Sequence, residues 1–399
     1  MIQKFSTPTF RIMLAIILLV LILSLPPTNN YESYLDIISH TSMTLKGQAP
    51  YSDVAQDFYG FRALMTNQDP YVILRVALKT MGIDWKANFS STHPPTSFLV
   101  VAPVALLPWP ISSMAWAWLM LVCLYVSLWY GFEFSWDTAV LLTVVSLLWP
   151  PISTSFDQIT IVWLFGLAMA YKYRNTHPFI SGLFIGLASF TKLLPIVLLF
   201  PFVIRRRWKA IVGFASIWFA ALGVLVLLSP KTMLRYFSTN RTNAVDIILR
   251  QDNGAFLFFL DRRLGVLGLV ITVAVLAALL LIVLRNYYIK PGYDIPREEW
   301  GIVALMSVLV LPITWIFSIA PLLPNLLQLL RDRRLLIQIL ALCAFIPPLI
   351  LPPWGVESTP GLFGFFIFSG IAFSLALLES LRSGKTKDEH SYNSVSDTT

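Results

Sequence analysis

Charge is scarce in this chain. Only 13% of its 399 residues are Asp, Glu, Lys or Arg, against about 25% in a soluble globular domain. Cysteine and histidine are scarcer. Cys123 and Cys343 both lie in apolar runs, which suggests packing rather than a disulfide, a metal site or a nucleophile. The four histidines stand at 40, 93, 177 and 390, with no metal-ligand spacing between them. HExxH, Walker and GxSxG patterns are missing, so neither a metal nor a cofactor is expected. The formal charge of +8 does not call for nucleic acid, because Lys and Arg collect in the cytoplasmic loops of membrane proteins.

Apolar residues are abundant, at 57%, and they recur in long runs. The pattern predicts an all-α polytopic membrane protein; the short alternating segments of a membrane β-barrel are absent. Twelve spans are expected, at 10–26, 94–108, 111–131, 137–151, 157–173, 179–204, 209–229, 264–285, 299–314, 315–330, 334–351 and 361–381. The first run, Ile12 to Leu25, lacks a small-residue cleavage site, so it reads as a retained span. Pro26-Pro27 should end it. Several spans fall short of the roughly 20 residues of a full crossing, which suits helices that line a cavity.

Basic clusters at 205–209, 285–297, 331–334 and 382–387 place both termini on the cytoplasmic side. Lys172 and Arg174 do not fit that scheme. A break of 179–204 at Lys192 and Pro195 would restore them, at the loss of a span between 94 and 151. Residues 1–382 then form a single integral-membrane domain, and 383–399 a disordered polar tail. Two segments are too polar to span, 26–93 and 230–263, and both are expected outside. No repeat suggests two symmetric halves.

The chemistry should lie in the first outer segment. Val54, Phe58, Phe61 and Met65 fall at helical spacing and predict an amphipathic helix on the outer membrane surface over 52–67, capped by Ser52 or Asp53. Asp57 neighbours the apolar stripe. A carboxylate held against aromatics suits a general base, although the local pattern by itself favours a solvated acid. His93 precedes Pro94-Pro95 at the entrance of the second span, facing the loop. Lys192 is the odd charge in an apolar stretch, which marks a functional site or a snorkelling side chain. Gly182 and Gly186 precede it at the spacing of close helix packing. Asp157-Gln158 opens another span, as a cavity wall or a helix cap. The basic second segment carries Asp252-Asn253-Gly254 and Arg262-Arg263, a solvated face or an anion site.

Taken in order, these elements resemble glycosyltransferase family 87, the polyprenyl-phosphate-dependent mannosyltransferases of the C-type membrane fold. The resemblance covers most of 35–330. It rests on Asp57-Phe58 through Gln68-Asp69-Pro70-Tyr71, on His93-Pro94-Pro95 through Leu106-Leu107-Pro108, and on Asp157-Gln158. It continues through Gly182 to Lys192 and Pro195, Asp252-Asn253-Gly254 to Arg262, and Leu311-Pro312-Ile313-Thr314-Trp315. This chain departs from the family pattern with His93 for Tyr, Asp157 for Gly and Leu311 for Ser. Ile316-Phe317-Ser318 stands where a His often follows the Trp.

The resemblance implies an inverting membrane hexosyltransferase, with mannose the expected sugar. Its donor would be a polyprenyl-phosphate sugar and its acceptor a lipid or glycan, met at an extracytoplasmic site in the cell membrane. Asp57 would be the general base, and Lys192 and Arg262 the cations for the donor phosphate. His93, Asp157, Gln158, Asn253 and Trp315 would line the substrate cavity. Two other readings are a flippase for a lipid-linked glycan and a noncatalytic subunit of the same fold.

Overall fold

A computed structural model of the chain describes residues 7–27, 34–49, 53–84, 90–156, 158–232, 234–239, 265–289, 293–309, 316–331 and 334–345. No strand forms among them; an isolated antiparallel bridge pairs Ile73 with Ser90. Helices α1 (Pro8–Leu23), α2 (Tyr34–Leu45), α3 (Ala55–Met65) and α4 (Leu74–Lys79) lead to two short ones, α5 (Pro95–Val100) and α6 (Ala102–Ala105). Then come α7 (Trp109–Val126), α8 (Trp136–Ser146), α9 (Pro150–Ser153), α10 (Thr160–Tyr173) and α11 (Pro178–Thr191). A 3-10 segment (Leu194–Leu199) joins α11 to α12 (Phe200–Ile204), and α13 (Trp208–Leu228) follows. The chain resumes with α14 (Val266–Ile289), α15 (Arg297–Leu309), α16 (Leu323–Leu330) and α17 (Leu335–Phe345).

Among the described residues three helical stretches are long and apolar enough to cross a membrane: Trp109–Gly131, Trp208–Leu228 and Val266–Arg285. Other expected spans appear as shorter apolar helices, α1, α8, α11 and α17 among them. The run at 94–108 is two short helices rather than one span. Pro103 sits in the first turn of α6, where it removes a backbone donor and restarts the helix. The run at 179–204 also breaks. Helix α11 ends at Thr191, and Lys192 takes extended backbone angles, φ −150° and ψ 129°. The span at 361–381 lies outside the described residues.

Helix α1 begins as its sequence dictates: Thr7 accepts the Phe10 N–H and Pro8 occupies the first turn. It stops at Ser24, two residues before the proline pair. The Gly182/Gly186 spacing does what it promises. A Cβ on Gly182 would collide with the Ala210 carbonyl of α13, so the two backbones meet directly.

The basic cluster at 205–207 is not a solvated loop. Arg205 and Arg207 are buried. Arg205 grips Glu299 of α15 with two parallel hydrogen bonds, 2.6 and 2.7 Å. Arg207 donates to the carbonyls of Arg174 and Asn175 and lies 3.9 Å over the Tyr293 ring. Asn175 Oδ1 in turn accepts the Ile295 N–H at 2.8 Å. Three turns, after α10, after α12 and before α15, are thereby locked together. Truncating one partner of such a pair strands a buried charge. Glu299→Ala should therefore cost about 3–5 kcal/mol and lower the unfolding temperature of the detergent-purified protein. A melt unchanged from wild type would show that the clamp carries no stability.

Candidate active site

Helix α3 is not a surface helix. Ala55 through Phe61, with Ala63 and Leu64, are all buried; of the predicted stripe only Met65 is exposed. The reason is packing on several sides, because α3 lies against α4, α5 and α6. Phe58 meets the rings of Trp109 and Trp116 edge-on, each at 6.0 Å. Gly60 lets α5 come close: a Cβ there would stand 2.5 Å from Phe98 Cε1. The expected cap is also absent. The N-cap is Val54, and Asp53 instead accepts the Gln56 amide at 2.6 Å. Ser52 lies outside the described residues.

Asp57 projects from the first turn of α3 and is completely buried. His93 Nδ1 stands 2.9 Å from its Oδ2 and 3.0 Å from its Oδ1. Ser97 Oγ donates to Oδ1 at 2.5 Å. Both partners come from the Pro94-Pro95 entrance: His93 lies just before it, and Ser97 is in the first turn of α5. The prolines fix that entrance in an extended form and then start a helix, which sets His93 and Ser97 on the same carboxylate.

A second layer holds His93. Its N–H donates to Ser91 Oγ, Ser91 Oγ donates to Gln56 Oε1, and Tyr71 OH donates to the His93 carbonyl. Asp69 accepts the Tyr71 N–H and pairs with Arg235. The Tyr71 ring lies between Phe98 and Tyr236, at 5.7 and 5.8 Å. The beginning of the second polar segment, 230–239, thus meets the first.

Lys192 joins the site from the other side. Thr96 Oγ1 of α5 donates to the Phe190 carbonyl at the end of α11, and Lys192 follows two residues later. Its ammonium is 6.0 Å from the Trp163 ring centroid, and its field reaches His93. Trp163 Nε1 is buried without a hydrogen-bond acceptor among the described residues. Gln158 is connected through aromatics: its carbonyl accepts Trp116 Nε1 at 3.3 Å, behind the Phe58 contact.

The electrostatics are mixed. Burial works against a charged His93, but the Asp57 carboxylate, by field and hydrogen bond, outweighs it; with Asp53 adding and Lys192 opposing, the imidazole pKa is raised above its ordinary 6.5. Burial, then Tyr236 and Asp57, raise the Tyr71 phenol. Among the described residues no three His, Cys, Asp or Glu converge to hold a metal ion.

Of the residues expected from sequence, Asp57 and His93 are in direct contact, Lys192 lies near enough for its charge to act on His93, and Gln158 is linked to α3 through Trp116 and Phe58. Asp157, Asn253, Arg262 and Trp315 lie outside the described residues. Ser97, Gln56, Ser91 and Trp163 were not anticipated. Ser97 had a signal, since it stands in the first turn of the helix that the proline pair after His93 begins. Trp163 had none within an apolar helix.

The model of glycosyltransferase family 87 matches residues 92–312, more than half of the chain. The chain belongs to that family. The matched stretch holds His93, Ser97, Trp163 and Lys192, and it begins after Asp57. The chain is also similar to a polyprenol-phosphate-mannose-dependent alpha-(1-2)-phosphatidylinositol pentamannoside mannosyltransferase of Mycolicibacterium smegmatis. Identity is 30% over 154 residues, 37% of each chain. A protein of the same description from Mycobacterium tuberculosis is 26% identical over 154 residues, 37% of this chain and 36% of the relative. The similarity therefore spans little more than a third of either relative. No solved structure matches.

The raised His93 pKa makes a prediction about folding. The Asp57–His93 pair stabilises the fold fully below the unfolded pKa, near 6.5, and loses that contribution as pH rises through the folded value. Unfolding temperatures of wild type and His93→Asn, compared from about pH 6 to 9, should show the wild-type advantage shrinking toward high pH. An advantage that grows with pH would contradict this electrostatic account.

Proposed function

We propose that this family 87 chain is a multi-pass membrane mannosyltransferase that takes its sugar from a polyprenyl-phosphate donor and passes it to a lipid or glycan. The observation that carries this reading is the Asp57 carboxylate, fully buried and fixed by His93 and Ser97, with Lys192 near enough for its charge to act on His93. The names of the two mycobacterial relatives supply the donor class and the sugar.

In this mechanism the acceptor hydroxyl loses its proton to the base built on Asp57. Its oxygen attacks the anomeric carbon from the face opposite the phosphate and inverts that centre. The carbon–phosphate oxygen bond breaks, and polyprenyl phosphate leaves with the electron pair. A phosphate leaving group needs little protonation, so a single basic centre and a cation suffice. Lys192 supplies the charge for the departing phosphate, and Arg262 of the second polar segment is the further candidate. Trp163 Nε1, buried near Lys192, offers a hydrogen bond to a substrate oxygen. His93, Asp157, Gln158, Asn253 and Trp315 complete the proposed cavity. The lipid tail of the donor accounts for a transferase this apolar. The site faces the extracytoplasmic side, with both termini in the cytoplasm.

Purified protein incubated with labelled polyprenyl-phosphate-mannose and a membrane lipid extract should transfer label to lipid. Asp57→Asn should cut the rate by about 10²–10⁴-fold while eluting and melting as a folded protein. Full activity in Asp57→Asn would remove Asp57 from the mechanism; no transfer by wild type would remove the donor assignment.

A further inference from the structure

Resting on the transferase reading above, we propose that the proton of the acceptor hydroxyl is taken by Nε2 of His93, with Asp57 behind it as the orienting carboxylate. The two residues divide the work of a base. Asp57 holds the negative charge and His93 presents the lone pair.

The geometry makes that division. Asp57 has no exposed side-chain surface, whereas the His93 side chain retains 16%. Both Asp57 oxygens are occupied by the same imidazole nitrogen, and Oδ1 also accepts Ser97 Oγ. A hydroxyl approaching Asp57 would meet no exposed surface on that carboxylate. His93 has the opposite situation. Its Nδ1 faces a carboxylate, so in the neutral ring the hydrogen sits on Nδ1 and the lone pair on Nε2. That second nitrogen bonds to no described residue and is not among the buried polar atoms left without a partner. It is the basic atom with an open approach. A buried Asp fixing the tautomer of a partly exposed His is the same physical arrangement that makes His the proton acceptor in hydrolytic triads.

Rotation of the ring is restrained at its base. The His93 N–H bonds to Ser91, and its carbonyl accepts Tyr71 OH. The charged groups facing it are Asp57 and Asp53 at α3 and Lys192 beyond α11, with the Tyr71 phenol on its carbonyl. The balanced step follows. The hydroxyl proton moves to Nε2 and the hydroxyl oxygen bonds the anomeric carbon. The carbon–oxygen bond to phosphate breaks, with its electron pair going to phosphate. His93 is left as imidazolium against the Asp57 carboxylate and releases its proton to water.

Neutral His93 is the active form, so the transfer rate should rise with pH through one ionisation above pH 6.5. The test compares pH–rate profiles of wild type and His93→Asn, which keeps a donor for Asp57 and lacks the Nε2 lone pair. We expect His93→Asn to lose about 10²-fold or more in kcat, with little change in donor KM, and to lose that ionisation. If His93→Asn keeps the wild-type rate and profile while Asp57→Asn is inactive, Asp57 takes the proton itself and the proposal is overturned with the transferase reading intact. If wild type transfers no sugar, both fall. Wild type alone gives a second check, whatever the variant's stability. The kinetic pKa must equal that of the His93 imidazole, read by ¹⁵N NMR with His40, His177 and His390 assigned by substitution. A mismatch overturns the proposal.

Discussion

Burying a carboxylate with no exposure costs several kcal/mol unless hydrogen bonds and an opposing charge replace its water. Asp57 is in that position, and much of this half of the molecule is arranged around supplying its partners. The proline pair at 94–95 delivers His93 and Ser97 to one carboxylate. Gly60 admits Phe98, and with it α5, to the face of α3. Thr96 then ties α5 to the end of α11, which fixes where Lys192 emerges. A chemical centre made of acid, imidazole and ammonium is thus a consequence of how one short helix is docked.

The opposite requirement governs the turns joining α10 to α11 and α12 to α13. There the buried charges are guanidinium groups held by protein acceptors, although Arg207 Nε bonds to no described residue. Arg205 has Glu299, and Arg207 has two backbone carbonyls and an aromatic face. These bonds tie the turns to one another. The Asp57 centre differs because the His93 side chain with the unengaged nitrogen is partly exposed.

Much of this was legible in the sequence, for identifiable reasons. Helix class follows from hydrophobic content, and α1 from its apolar run and Pro26-Pro27. The helix at 52–67 was legible from its aromatic spacing, and the break at Lys192 from Pro195. The surroundings of α3 were not. Periodicity says which face is apolar; it does not say that the polar face will also be covered, as Gln56 and Asp57 are. The same limit hid the roles of Arg205 and Arg207, whose partners lie 94 and 33 residues away along the chain, respectively. Proline at 103 was visible, but its power to divide 94–108 into two helices depends on neighbours that tolerate the break. Asp57 stands outside the stretch matched by the family model, so its candidacy rests on order of motifs in the sequence and on burial and hydrogen bonding in the structure.

The most direct test of the account is a cryo-electron microscopy structure with the polyprenyl-phosphate-mannose donor trapped in Asp57→Asn. The account predicts the donor phosphate beside Lys192 and the anomeric carbon turned toward the His93 and Asp57 side chains, with room for a hydroxyl between. A donor phosphate bound away from Lys192, with its sugar out of reach of His93 and residue 57, would contradict it.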